Sequence, residues 1–542
     1  MLRPQSIQWL TLAFSVIPSF PSRVQEYLPI AERGYLSMTD GASFSYDGNV
    51  TLNYNTLVNE KHIIYAGAGL EVTQNDNNSH GFIMTGFPDD RYSDPAFAIQ
   101  YKKETKPSSS ESKSRAIGFF ANGNYSYDDR YFADVSVRID GSSKFGADKK
   151  YAPFWSAGAG WNVHNEKFFK HTKISMLKLR YSYGVTGNQE FSAYQAKTMF
   201  QFNTDRLYNS GISAALMGYG NPDLEWQNQY QSNYGFDFGY AKDRIRLQFN
   251  YYQKKTEGML TSVSVAPSLG LPSNTFTSNL GKIQNKGVEV NLNAVLIRDQ
   301  GKDFEWSVML QAAHNKNKIM EISTALKNIN EKNNQDKTTP AAVYEEGESM
   351  SAIKAVPSLG IDPTTGQELF MKKDGTITYT WDATDKVICG DSEPKVFGNV
   401  GTNLYWKGWN LNMVFKYDLG ADYYNSTLAE RVEGANPRYN ADRRVLNNRW
   451  KEPGQHALYK NIKEYTTTYI SSRFVQKENT LQLTSLSLSY DLNREWIRKF
   501  GLNTMRLSFY MNDVFRASTV KNERGLDYPF QRSFVFGLNI GF

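Results

Sequence analysis

The chain ends Arg532-Ser533-Phe534-Val535-Phe536-Gly537-Leu538-Asn539-Ile540-Gly541-Phe542. Phe534, Phe536, Leu538, Ile540 and Phe542 stand two residues apart. A strand sends alternate side chains to opposite faces, so these five share one apolar face. The other face carries Ser533, Gly537, Asn539 and Gly541, with Val535 as its one bulky apolar residue. The stretch is about as long as a tilted strand that crosses an outer membrane, and it closes on an aromatic. A half-buried strand of a soluble sheet alternates in the same way, so the rest of the chain has to decide.

The 542 residues leave room for several ordinary domains or one large barrel. Mean hydropathy is −0.55, yet 14% of residues are aromatic, with 34 Tyr and 32 Phe beside 40 Gly. Helical periodicity is sparse, and this mixture suits strands whose aromatics cover faces and girdles while Gly and Asn make turns. The net charge of +6 is small for the length, and no basic cluster with interleaved aromatics points to nucleic acid. Cys389 is the single cysteine, which excludes an internal disulfide and a multi-cysteine metal site. It reads as a buried neutral thiol rather than a nucleophile. No stretch carries the roughly 18 apolar residues of a membrane helix. Residues 7–20, after Met1-Leu2-Arg3, look like a secretory signal interrupted by Gln8, Thr11, Ser15 and Pro18. The alternative is a partial strand, so residues 1–40 are set apart from a β-domain over 41–542.

Along that domain the period is two. Residues 42–74 read as a hairpin around Val58-Asn59-Glu60-Lys61, and the polar residues 75–113 as a long loop. Ile117, Phe119, Ala121, Gly123, Tyr125 and Tyr127 alternate with Asn122, Asn124 and Ser126. After the turn Asp128-Asp129-Arg130, Tyr131, Ala133, Val135, Val137 and Ile139 alternate with Asp134, Ser136 and Arg138. A charge facing hydrocarbon costs several kcal/mol, so Asp134 and Arg138 are expected to face a wet lumen. Further strands follow at 155–163, 177–185, 225–241, 243–259, 281–297, 303–319, 394–406, 409–420, 480–491 and 503–515, with residues 320–393 long and irregular between them. Within 480–491 the parity slips from Leu481 and Leu483 to Leu486, Leu488 and Tyr490, which predicts a β-bulge near Thr484-Ser485.

The connections alternate between short and long, as in a membrane barrel with periplasmic turns and extracellular loops. A soluble sandwich has no reason to keep its long loops on one side. The expected fold is therefore all-β, an antiparallel transmembrane β-barrel in the outer membrane. It has about fifteen strands, or sixteen if residues 6–16 supply one.

Specific motifs stand on this frame: Asp140-Gly141-Ser142-Ser143-Lys144-Phe145-Gly146, then Trp155-Ser156-Ala157-Gly158-Ala159-Gly160-Trp161, then Tyr183-Gly184-Val185-Thr186-Gly187-Asn188-Gln189. Asn221-Pro222-Asp223-Leu224-Glu225-Trp226, Asn285-Lys286-Gly287-Val288-Glu289, Tyr405-Trp406-Lys407-Gly408 and Asn512-Asp513-Val514-Phe515 follow, and then Gly525-Leu526-Asp527-Tyr528-Pro529 before the terminal strand. Together they resemble the barrel of the SusC/RagA family of TonB-linked outer-membrane transporters of Bacteroidetes, over about residues 40–542. The resemblance implies a barrel of about 22 strands closed by an N-terminal plug. It implies a SusD-like surface lipoprotein as partner, TonB-ExbB-ExbD as the energy source acting on that plug, and nutrient uptake of oligosaccharides or peptides. This chain carries no recognisable plug or TonB box and is read as an N-terminally truncated form starting near the eighth strand. The rivals are a siderophore or cobalamin receptor barrel and, from another class, a secreted soluble glycan-binding β-protein.

No catalytic constellation, cofactor or metal site is expected, and no ligand-binding residue is assigned. His62, His80, His164, His171, His314 and His456 lie far apart with no HxxxH pair. The pairs Asp89-Asp90 and Asp128-Asp129 suit tight turns. Lys372-Lys373-Asp374-Gly375-Thr376 and Asp385-Lys386-Val387-Ile388-Cys389-Gly390 lack the oxygen spacing of an EF-hand. Trp155, Trp161 and Trp406 fit an interfacial girdle better than sugar-stacking platforms.

Overall fold

The computed structural model describes residues 3–19 and 28–542 apart from 88–93, 147–148, 170–172, 189–191, 209–210, 265–274, 280, 323–326, 328–329, 332, 339, 437, 439–441, 465 and 522–530. Only backbone is described for 3–19, 203–208, 260–264, 275–278 and 494. Sixteen long strands follow one another: β1 Arg3–Ser19, β2 Tyr35–Val58, β3 His62–Thr85, β4 Ser108–Tyr127, β5 Tyr131–Ser142, β6 Tyr151–Asn162, β7 Ile174–Asn188, β8 Gln227–Tyr240, β9 Ile245–Glu257, β10 Lys282–Asp299, β11 Phe304–Glu321, β12 Val396–Trp406, β13 Trp409–Tyr424, β14 Val475–Asp491, β15 Thr504–Ser518 and β16 Phe534–Gly541. Each pairs antiparallel with its successor in a single sheet, and a two-residue strand, Gln100–Tyr101, adds to the end of β3. The sheet extends upstream of residue 41, because β1 pairs with β2 from Arg3↔Thr51 to Ser19↔Tyr35.

One face of the sheet is an apolar band. Across the last four strands Leu411, Leu488, Phe509 and Phe536 stand in one row and Met413, Leu486, Met511 and Phe534 in the next. Leu179, Phe236 and Phe249 continue the band, with the two phenylalanine rings stacked at 5.3 Å. The opposite face is polar on almost every strand. Hydrocarbon can face only the first of these surfaces, so the sheet is a membrane wall with a wet inner side. Aromatics gather where the band meets the short turns. Tyr131 stacks on Trp161 at 6.2 Å, and Trp409 lies 4.6 Å from Tyr490.

The short connections lie on one side, at 59–61, 128–130, 241–244, 300–303 and 407–408. Asn59, Glu60, Asp128, Asp129, Ala241, Lys242, Asp243, Asp303 and Lys407 adopt positive φ there, as tight hairpins demand. The short helices at Val163–Asn165, Lys167–Phe169 and Arg494–Arg498 close the two remaining connections on that side. The parity slip in β14 is a bulge. Val414 pairs with Ser485 and Phe415 with Leu483, leaving Thr484 as the extra residue, so Leu481 and Leu483 keep the same outward face as Leu486. Thr484 Oγ1 donates to Val414 O at 2.9 Å. The bulge also reaches β15, where Asp513 takes φ 49°.

Two sequence readings need correction. Residues 75–113 are not one loop: β3 and β4 pair from His62↔Tyr127 out to Gly81↔Ser108. This pairing runs past the membrane band into water, where neither face needs apolar side chains and the alternation disappears. Residues 320–393 are not irregular throughout. They hold a pair of strands, Ala352–Ala355 with Val387–Asp391, and a three-stranded piece, Ser358–Ile361, Glu368–Met371 and Ile377–Thr378. The stretch between β7 and β8 contains a hairpin, Met199–Tyr208 with Gly211–Gly218.

Candidate functional site: lumen wall and loop crown

The inner face places opposed charges within reach of one another. Arg138 Nη2 donates to Glu71 at 2.8 Å and its Nε to Asp140 at 2.5 Å, while its guanidinium lies 5.9 Å from the Phe120 ring. Arg138 thus faces the lumen, as its parity in β5 requires. Arg180 donates to Asp237 at 2.8 Å and to Asn250 at 3.0 Å. Amides fill the space between: Gln231 donates to Asn233 at 2.8 Å, and Asn399 to Gln311 at 3.2 Å. At the long-loop end Asn315 and Asn317 each donate to Glu393 at 2.5 Å. Paired charges and neutral amides make a hydrophilic lining without one dominant sign.

The motifs quoted separately from the sequence meet in space. Phe145 stacks on Trp226 at 4.3 Å, and Phe154 meets the same indole edge-on at 5.3 Å. Gly146 N donates to Leu224 O at 3.2 Å, and a Cβ at Gly146 would lie 1.6 Å from Pro222 O. Only glycine allows this contact, which ties the loop after β5 to the entry of β8.

The long connections between β11 and β14 form a crown with its own buried charges. Arg473 donates from Nη1 and Nη2 to Glu433 at 2.5 and 2.8 Å, and from Nε and Nη2 to Glu368 at 3.2 and 2.8 Å. Burial works against its charge, but the hydrogen bonds it donates to Glu433 and the field of Glu368 outweigh it and push its pKa up. Arg449 donates to the carbonyls of Val445, Lys460, Val432 and Glu433. Ala429, Val432, Tyr459 and Phe474 pack together beside these groups. Lys460 binds the carbonyls of Thr466 and Thr467 at 3.4 and 3.2 Å, and burial lowers its pKa. Trp381 stacks on Tyr469 at 5.1 Å, with Lys386 5.6 Å from the indole.

The residues singled out from sequence are dispersed. Trp155, Trp161 and Trp406 all point to the outer face, and Trp161 Nε1 donates to Glu166 at 3.1 Å beside the short turns. Asp128 and Asp129 are turn residues, and Asp128 pairs with Arg130 at 2.8 Å. Asp374 accepts from Thr376 N and Oγ1 at 2.9 and 2.6 Å, a local turn rather than a cation cage. Among the described residues no group of three or more His, Cys, Asp or Glu is placed to hold a metal ion. Asp89, Asp90 and His171 lie outside the described residues. Sequence reading missed the Arg473 cluster, because its members are 40 and 105 residues apart and no local pattern joins them.

Cys389 lies in the crown, its Sγ 3.4 Å from Ala355 O, and burial raises its pKa above that of a free thiol. The thiolate is the reactive form, so raising the pKa slows alkylation at pH 8. Iodoacetamide should therefore modify the folded chain several-fold more slowly than the unfolded chain, and the gap should close as pH rises. Equal rates at pH 8 would contradict the partial burial of this thiol.

A polar-lined sheet wall, a lipid-facing band and loops on one side define an outer-membrane β-barrel. The model of the TonB dependent receptor-like β-barrel matches residues 11–512, and the chain belongs to that family. Its curated relatives include TonB-dependent receptor P3 of Formosa agariphila, 28% identical over 81% of this chain and 46% of the relative. TonB-dependent receptor SusC of Bacteroides thetaiotaomicron is 23% identical over 92% of this chain and 51% of the relative. The chain thus spans about half the length of the curated relatives it matches. Among solved structures, the RagAB peptide transporter superposes with a TM-score of 0.87 at 21% identity, covering 100% of this chain and 60% of the other. The names SusC and RagAB agree with the family resemblance of the motifs, and the membrane in question is the outer membrane.

Proposed function

We propose that this chain is the barrel wall and extracellular crown of a SusC/RagA-type importer for oligosaccharides or peptides. The observation that supports this most is the pairing of a continuous hydrophilic lumen face with long, internally structured loops on one side only. Residues 41–542 make up the receptor barrel in this reading, and Arg3–Ser19 adds a strand upstream of it. A SusD-like surface lipoprotein would seat over the crown, and TonB-ExbB-ExbD would act on a plug held within the lumen. The chain's own residues contribute a wettable path and a rigid rim, with no catalytic step.

The test uses cells whose complete receptor carries this barrel, compared with a deletion strain. Labelled malto-oligosaccharides and labelled peptide mixtures are supplied, each above the size that open pores admit. Uptake of one class should fall to background in the deletion strain, and a protonophore should abolish it in the parent. Unchanged uptake of both, with loss of ferric siderophore uptake, would favour the siderophore reading instead.

A further inference from the structure

The lipid-facing band is not evenly filled. Four neighbouring strands carry two rows of unequal size: Leu52, Ala68, Ala121 and Val137, and beside it Tyr54, Ala66, Gly123 and Val135. Small residues from β3 and β4 form a floor, and bulky residues from β2 and β5 form two walls. The hollow between them has a volume of about 450 Å³. Leu52 and Tyr54 stand 58% and 62% exposed along one wall, so none of the described residues covers it. The rows on either side are filled, by Leu70 and Phe119 towards the long loops and by Ile64 and Tyr125 towards the short turns. The emptiness is not forced by backbone crowding. A Cβ at Gly123 would meet a single atom within 4 Å, Tyr65 O at 3.9 Å.

We propose that this hollow is a binding site for one acyl chain of a membrane phospholipid, in the leaflet nearer the short turns. The hollow opens directly onto the protein–lipid boundary, which supplies acyl chains at high concentration. Its outward lining is apolar apart from the Tyr54 hydroxyl at the turn-side wall, so it offers an acyl chain mainly dispersion contacts. Its depth fits one leaflet. Ala68 lies six residues from His62 at the turn, about 20 Å of strand. At a tilt of about 40° that is roughly 15 Å along the membrane normal, a little over half of an apolar band about 25 Å tall. His62 at the turn-side end bonds Tyr125 Oη at 2.9 Å and lies 5.0 Å from the Tyr127 ring, a polar ledge at headgroup height. Lys61 beside it is exposed, but so are Glu60, Asp128 and Asp129, so the site selects the chain rather than the charge of the headgroup.

The test measures phospholipid retained by the purified chain, extracted in mild detergent and exchanged stepwise against lipid-free detergent. The probe is palmitoyl-oleoyl phosphatidylethanolamine, counted by native mass spectrometry. Gly123→Phe fills the hollow. Ala294→Phe adds the same ring to the outward row that Ala294 shares with Val308 and serves as control. Wild type and A294F should keep one phospholipid after bulk lipid is gone. G123F should lower its occupancy at least about tenfold, as expected for the loss of roughly two buried methylenes. Ala121→Leu is the second variant should G123F fail to show heat-modifiable migration. Equal retention by all variants, or none by wild type, would overturn the proposal. So would a wild-type dimer that G123F dissociates, since the face would then belong to a second copy of the chain.

Discussion

Arg473→Met is expected to loosen the crown while leaving the barrel folded. The guanidinium is the shared partner of Glu433 and Glu368, whose side chains are 0% and 4% exposed. Its removal leaves two buried carboxylates, Glu368 with no partner cation of its own and Glu433 with only the more distant Lys460. Breaking a buried ion cluster from one side costs about 3–5 kcal/mol, far more than the cluster contributes as a whole. Lys460, 3.9 Å from Glu433, is already bound to Thr466 and Thr467 and is a poor substitute. Hydrogen exchange over residues 425–474 should accelerate by two to three orders of magnitude, about what that cost implies. Heat-modifiable migration should be unchanged, because the membrane strands keep all their pairings. The triple variant R473M/E433Q/E368Q removes the stranded charges and should recover much of the protection. Unaltered exchange in R473M would mean that the cluster does not hold the crown.

The second large effect separates two adjacent residues of β14. Leu486 sits in the outward row with Met413 and Met511, and Ser487 faces the lumen beside Asn412 and Tyr510. Leu486→Arg should destabilise the barrel by about 2–4 kcal/mol, the range for a cation near the middle of the hydrocarbon. Ser487→Arg places the same charge in water and should cost less than about 1 kcal/mol. Denaturant unfolding from lipid vesicles reads both. Similar losses for the two variants would contradict the assignment of inner and outer faces.

How much of this was legible in the sequence follows from where the chain meets hydrocarbon. Wherever a strand crosses the band, one face must be apolar, and the alternation located β4 to β6 and β16 closely. Even the Thr484 bulge showed itself, because Leu481 and Leu483 had to stay outward while the count slipped by one. Above the band the constraint is lifted. Gln74 to Gly81 and Ser108 to Arg115 pair in register with water on both sides, and their composition looks like that of a loop. Contacts between distant segments were also invisible. Nothing local to Phe145 announces Trp226, and nothing near Glu368 announces Arg473. The candidate site was least legible of all, since a lumen lining is assembled from single residues two apart on many strands.

The tight connections on one side of the sheet also set an order of assembly. Bringing chain ends together costs more for longer loops, by about 0.6 kcal/mol for each doubling. Joining β11 to β12 across residues 322–395 is therefore about 3 kcal/mol harder in loop-closure entropy than joining β12 to β13 across 407–408. The pairs β2–β3, β4–β5, β8–β9, β10–β11 and β12–β13 can each form within a few microseconds as sequence-local hairpins. The slower pairings that remain are those across the longer connections, with β11–β12 and β13–β14 spanning the crown. Hairpins rather than single strands are thus the kinetic units from which this wall is built, each with its register set by its own turn before it meets its neighbour.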